Sequence, residues 1–252
     1  MYEGLMLTSQ NDVDFMIHGL FSYNFFGQEL WITTSHVYLL IVVISLIIFF
    51  IVGGQVFRKA DKIPGVFQNI LELIVEFLDG IVKGSMGRNA DGFKNYIGVL
   101  FIFILFSNIS GLFGLRPPTA DYGVTLPLGI ITFMLIHINQ FRFNSIGSIW
   151  KDMCSPLPPW LPIWLPINII SEIAVPISLS LRLFANVLSG TVMMALVYGL
   201  LKWIAIIWPA ALHAYFDLFS GAIQTYVFCM LTMTYINNAI GEREDVAKEE
   251  GI

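Results

Sequence analysis

Charge is what this chain has least of. Only 12% of its 252 residues are Asp, Glu, Lys or Arg, against about 25% in average proteins, while 56% are hydrophobic. That imbalance excludes a soluble enzyme and points to a polytopic membrane protein. Cysteine is nearly absent: Cys154 and Cys229 make no disulfide framework, and Cys229 lies in an apolar run as a small packing residue. No phosphate-binding glycine loop, zinc-ligand spacing, nucleophile elbow or dinucleotide fingerprint occurs. Catalysis, a cofactor, a metal and a nucleic-acid partner are therefore not expected. No Lys or Arg precedes Arg58, so the start of the chain lacks the basic segment of a cleavable signal peptide, and none is expected. No internal repeat is visible, which weighs against an inverted-repeat transporter.

What is present is a set of long uncharged runs. A bilayer needs about 20 apolar residues to be crossed by a helix. Val37–Phe57, Asn95–Leu115 and Tyr122–Phe141 meet that length, and two longer regions follow at about 167–201 and 208–240. The fold expected is all-α, with about five membrane helices, the last two long and tilted, in a single membrane domain spanning 1–252. Between the first two spans, residues 64–88 place Glu72, Glu76, Asp79 and Lys83 at helical spacing, opposite Ile70, Leu71, Ile74, Phe77, Leu78 and Ile81. That pattern predicts an amphipathic helix lying on the cytoplasmic surface, with a soluble hairpin packed on the protein as the alternative.

Basic residues set the expected orientation. Arg58, Lys59, Lys62, Lys83, Arg88 and Lys94 cluster between spans one and two, Arg142 and Lys151 between three and four, and Arg243 and Lys248 in the tail. An outside N-terminal segment, 1–34, and five spans put all of these on the inside and leave Arg116 and Lys202 outside. The C-terminus is then cytoplasmic. Pro156, Pro158, Pro159, Pro162 and Pro166 interrupt the chain before span four, and Pro176 lies within it, where a kink or the helix start is expected.

One permanent charge sits where lipid-compatible sequence surrounds it. Arg182 cannot shed its proton, and near a bilayer centre it costs about 2.5–3.5 kcal/mol on insertion scales. Ser171, Ser178, Arg182, Asn186 and Ser189 fall at 0, 7, 11, 15 and 18 residues, one stripe at 100° per residue. His213, Asp217, Ser220 and Gln224 fall at 0, 4, 7 and 11 in the next region and form a second stripe. Polar residues can simply join helices in lipid, each bond contributing roughly 0.6–2 kcal/mol. Arg182 and Asp217 could likewise form a buried structural bridge. An ion path lined by both stripes is the third option, and the one that explains a full charge. As one helix, 167–201 would be about 52 Å long against ~30 Å of hydrocarbon. It must break near Pro176 or lean steeply, and a leaning helix could offer Arg182 to a partner within the membrane.

The segments S-L-S-L-R-L-F-A-N-V-L-S-G around Arg182 and Q-T-Y-V-F-C-M-L-T-M-T-Y-I from Gln224 resemble the two signature segments of subunit a of F-type ATP synthases. P-G-x-x-Q-N from Pro64, S-N-I-S-G-L-F-G from Ser107 and P-T-A-D-Y-G-V-T-L from Pro118 extend the resemblance. It implies a non-catalytic stator subunit with two half-channels that load and unload carboxylates on a rotor ring of c subunits. Arg182 would face that ring, with Gln224 and Asn186 beside it. Asp217, with His213, would line the outer path, where Thr191 stands at a position often ionisable in relatives. Glu172 and Ser171 would lie on the inner path, and Asp121 near the outer mouth or in a plain turn. The implied partners are the c ring, peripheral-stalk b subunits, the remaining synthase subunits and the lipid bilayer. The implied ion is a proton, with sodium open because the rotor carries the selecting site. A bacterial plasma membrane is the expected location, an organelle inner or thylakoid membrane the alternative. A secondary transporter binding an anionic solute through Arg182 is the competing function.

Overall fold

The computed structural model of this chain describes residues 19–25, 28–58, 65–113, 115–144, 147, 149, 165–200 and 208–249. Among the described residues five helices are long and apolar enough to cross a membrane, and the chain is an all-α polytopic membrane protein in its body. A short antiparallel hairpin precedes that body, β1 (Gly19–Phe25) with β2 (Gln28–Thr33), pairing Ser22 with Trp31 and Tyr23 with Leu30. Sequence patterning over such short runs did not reveal it. The prolines at 156–162 lie outside the described residues.

Helix α1 (Thr34–Arg58) touches the rest through one stripe, Ser35, Val42, Leu46 and Gly53, repeating every four or seven residues. Its other faces expose Leu40, Ile44, Ile47, Ile48 and Ile51. In lipid that is no penalty, because hydrocarbon tails are as apolar as these side chains.

Helix α2 (Val66–Met86) has three faces rather than the two its sequence suggests. Leu71, Leu78, Val82 and Met86 are buried against α3 (Ala90–Ile109) and the last helix. Ile70, Leu73 and Phe77 are exposed on a second face, while a third carries Asp79, which Lys83 meets at 2.7 Å and Lys94 also pairs with. Gly87 ends the helix at φ 53°, a left-handed conformation open to glycine, and donates its N–H to the Lys83 carbonyl.

Two 3₁₀ turns, Ser110–Phe113 and Pro118–Ala120, lead from α3 into α4 (Tyr122–Phe143). Asn108, from the serine-asparagine motif, ties these elements together. Its amide donates to the Gly221 carbonyl at 3.1 Å and to Thr225 Oγ1 at 3.3 Å, and Thr119 Oγ1 donates to its carbonyl at 2.8 Å. Gly221 accommodates this, since a methyl there would lie 2.9 Å from Asn108 Cβ. Replacing Asn108 by leucine orphans buried partners at about 1–3 kcal/mol each. Thermal dissociation of the assembled protein should shift several degrees lower; an unchanged midpoint would contradict the network's role.

Helix α5 (Leu165–Leu200) is continuous through Pro176, so of the two alternatives, a break there or a steep lean, the break does not occur. Helix α4 packs against it closely: a methyl at Gly129 would lie 2.6 Å from the Pro176 carbonyl oxygen. At about 1.5 Å per residue its 36 residues run about 54 Å, far beyond the hydrocarbon thickness without a lean. After it come α6 (Trp208–His213), a π-helical segment (Ala214–Ser220) and α7 (Gly221–Glu249). The core forms where α2, α3, α5 and α7 meet, around Ile97, Ile104, Leu183, Phe228, Met233 and Ile236.

Candidate functional site

Two cross-contacts fix how α5 runs against the final helices. Ser220 Oγ donates to Asn186 Oδ1 at 3.1 Å, and Gly190 lies against Phe216, where a methyl would sit 3.6 Å from Cβ. Each step forward on α5 is thus a step back on its partner. One turn further in the same antiparallel register, Gln224 comes level with Arg182.

Arg182 is exposed, and no hydrogen bond or ion pair engages it among the described residues. Its neighbours Leu179 and Leu183 are buried in the core, so α5 uses one side to hold the bundle and presents the arginine on the other. Ser171, Ser178 and Ser189 are exposed along that same side, and Leu181, Val192 and Leu196 surround them. Ser189 Oγ bonds back to the Asn186 carbonyl at 2.9 Å, within its own helix. Asn186 itself is half-buried and carries the inter-helix bond to Ser220. Gln224 is buried, and its Nε2 has no hydrogen-bond partner among the described residues.

Asp217 does not pair with Arg182. Its Oδ2 lies 2.8 Å from His213 Nδ1, one turn earlier on the same segment. Gly111 makes room for the carboxylate, since a methyl there would come within 3.0 Å of it. Either the imidazole donates to the carboxylate, or a protonated carboxyl donates to the bare nitrogen. Both arrangements hold one mobile proton. The second stripe is nonetheless not straight as 100° spacing predicts. The i→i+5 bonding of Ala214–Ser220 widens the turn and rotates His213 and Asp217 relative to Gln224.

On the opposite side of Arg182, Glu172 Oε2 lies 3.5 Å from His137 Nε2 on α4. The pair lines a 240 Å³ cavity with Gln140, Tyr235 and Asn238 among its walls. Ten residues, or about 15 Å of helix rise, separate Glu172 from Arg182. Sequence spacing gives no sign of His137, because its partner is on another helix and no motif joins them. Pro176 bears on this region too, as it has no N–H to give the Glu172 carbonyl.

Asp121 bonds to none of these groups among the described residues. It caps α4, accepting from the Gly123 N–H at 2.9 Å, which is the ordinary work of an aspartate at a helix start. Thr191 Oγ1 is committed to the Leu188 carbonyl at 2.8 Å.

The model of the ATP synthase A chain family matches residues 36–237. The chain is 36% identical over 210 residues to the sodium-ion-specific ATP synthase subunit a of Propionigenium modestum, covering 75% of this chain and 70% of that protein. It is 33% identical over 216 residues to the ATP synthase subunit a of Limosilactobacillus reuteri, covering 79% and 90%. With that of Anoxybacillus flavithermus it shares 31% over 233 residues, covering 86% and 95%.

Proposed function

The chain belongs to the ATP synthase A chain family, and we propose that it is the ion-translocating stator subunit of a rotary synthase, moving protons. It works in a bacterial plasma membrane with its N-terminal side outside, beside a ring of c subunits and the b subunits of a peripheral stalk. It catalyses no bond chemistry itself. The observation that carries this reading is the exposed Arg182, which no carboxylate engages among the described residues. A full positive charge within a membrane span needs a partner or water, and here the partner comes from outside. A rotor carboxylate passing Arg182 is stabilised in its ionised form and releases its proton.

The ionisable pairs support the rest. His213–Asp217 lies toward the end of α5 and the start of the last helices, on the outer side by the positive-inside pattern. Glu172 lies toward the inner side, where Arg142 ends α4. Ser178 and Ser189 extend the polar surface from Arg182 in both directions, and Asn186 and Gln224 flank it. Imidazole and carboxylate groups suit proton hand-off near neutral pH. The Propionigenium modestum relative is named sodium ion specific; proton-coupled turnover without sodium is expected for this chain. A drop of 100 mV yields about 2.3 kcal/mol per charge, so several ions per turn reach the scale of ATP synthesis if none bypasses the ring.

Cysteine cross-linking in the assembled complex tests the orientation of α5. Ser178→Cys and Ser189→Cys should each form disulfides with a cysteine on the outer helix of the rotor subunit. Ile131→Cys, exposed on α4, should not. Cross-links from Ile131 alone would contradict the reading.

A further inference from the structure

His137 and Glu172 meet in a way that calls for a proton between them. His137 Nδ1 lies 3.0 Å from the Phe133 carbonyl oxygen. A carbonyl can only accept, so Nδ1 must carry the hydrogen, and the tautomer is set by the backbone of its own helix. The neutral ring therefore turns its bare Nε2 toward Glu172 Oε2, 3.5 Å away. An ionised carboxylate is also purely an acceptor. Two acceptors facing each other are stable only with a shared proton or a bridging water. The adjoining 240 Å³ cavity has room for several waters at roughly 30 Å³ each. The cavity's walls come from the second half of α4, the first part of α5 and α7.

We propose that His137 and Glu172 form a proton-exchange station on the inner side of Arg182, handing protons between the rotor-facing stripe and inner water. This rests on the stator reading above and adds to it a residue, a direction and a carrier. A proton leaving the rotor arrives on Glu172 as a carboxylic acid. It moves to His137 Nε2, leaving Glu172 ionised and the ring an imidazolium with both nitrogens protonated. The imidazolium then gives its Nε2 proton to cavity water, while the other hydrogen stays on Nδ1, donated to the Phe133 carbonyl. Nothing is consumed, and the pair returns to its starting state. Run backward, the same steps load the rotor during ATP-driven pumping.

The surroundings fit that role. Tyr235, from α7, is the other titratable side chain lining the cavity among the described residues. Arg142, one turn beyond on α4, is exposed with its guanidinium over the Phe143 ring at 5.8 Å. Gln140 and Asn238 supply amides that can hold water. Arg182 then stands between two imidazole–carboxylate pairs, one on each side along α5.

The test uses the assembled complex in liposomes, with ATP synthesis driven by an imposed proton gradient and the inner-side pH varied from about 5 to 8. His137→Gln keeps size and polarity but carries no proton. It should slow synthesis several-fold and flatten the dependence on inner pH, leaving the dependence on outer pH as in the unaltered protein. His137→Ala should recover rate when imidazole is added on the inner side, which no packing role would produce. Unchanged rates at every inner pH would overturn the proposal. So would equal slowing at all pH values with no imidazole recovery. Arg182→Ala run in parallel separates the two ideas: if it couples normally the stator reading itself fails, whereas lost coupling there with an indifferent His137→Gln removes only the exchange station.

Discussion

Replacing Arg182 by alanine is expected to abolish ATP-driven proton pumping by the assembled complex. The reasoning starts from the missing counter-charge: no carboxylate of this chain engages the guanidinium among the described residues. Its removal therefore leaves no orphaned internal partner, and the fold should persist, held by Leu179, Leu183 and the rest of the core. What is lost is the bias toward an ionised rotor carboxylate as it passes. Without that bias the rotor site keeps its proton, and the ring no longer exchanges ions in one direction. Arg182→Lys should recover little. The ammonium is a compact point charge on a flexible stem and can itself lose a proton when desolvated, so it cannot hold a permanent charge at one place on the exposed face of α5. Assembly with normal coupled pumping in Arg182→Ala would refute the assignment.

Asp217→Asn should slow transport without ending it. The side chain keeps its shape and can still accept from His213, now 2.8 Å from the carboxylate, but it cannot ionise. His213 remains to carry a proton from the outer side, so the loss should be about tenfold, short of the roughly 100-fold or more that a positioned acid or base commonly supplies. His213→Gln added to it should deepen the loss beyond the product of the single effects, because each residue substitutes for the other. The slowing should depend on outer pH. Rates indistinguishable from the unaltered protein across that range would remove Asp217 from the path.

The membrane helices could be read from the chain because each is a long uncharged run, and the stripe on α5 could be read because that helix is regular from end to end. The continuity itself was less legible. Pro176 signals a break or a lean, and the helix runs through it with Gly129 of α4 seated close to its carbonyl. The second stripe was legible in residues but not in line, since a π-helical segment between His213 and Gly221 leaves no simple mark in hydrophobic spacing. The bridge between Arg182 and Asp217 was a fair alternative on sequence; the proximity of His213 to Asp217 replaces it. His137 stayed hidden because a lone histidine in an apolar helix gives no signal until the helix carrying Glu172 is folded beside it. The motif around Asp121 suggests either a place near the outer mouth or a plain turn, and its bond to Gly123 adds a local role as the cap of α4.

Passive proton conductance through the membrane sector, with the ring prevented from turning, tests the central idea most directly. If Arg182 keeps the outer and inner paths apart, blocked complexes should be tight, and the same complexes carrying alanine at that position should leak. Equal, low conductance in both would mean that the guanidinium separates nothing.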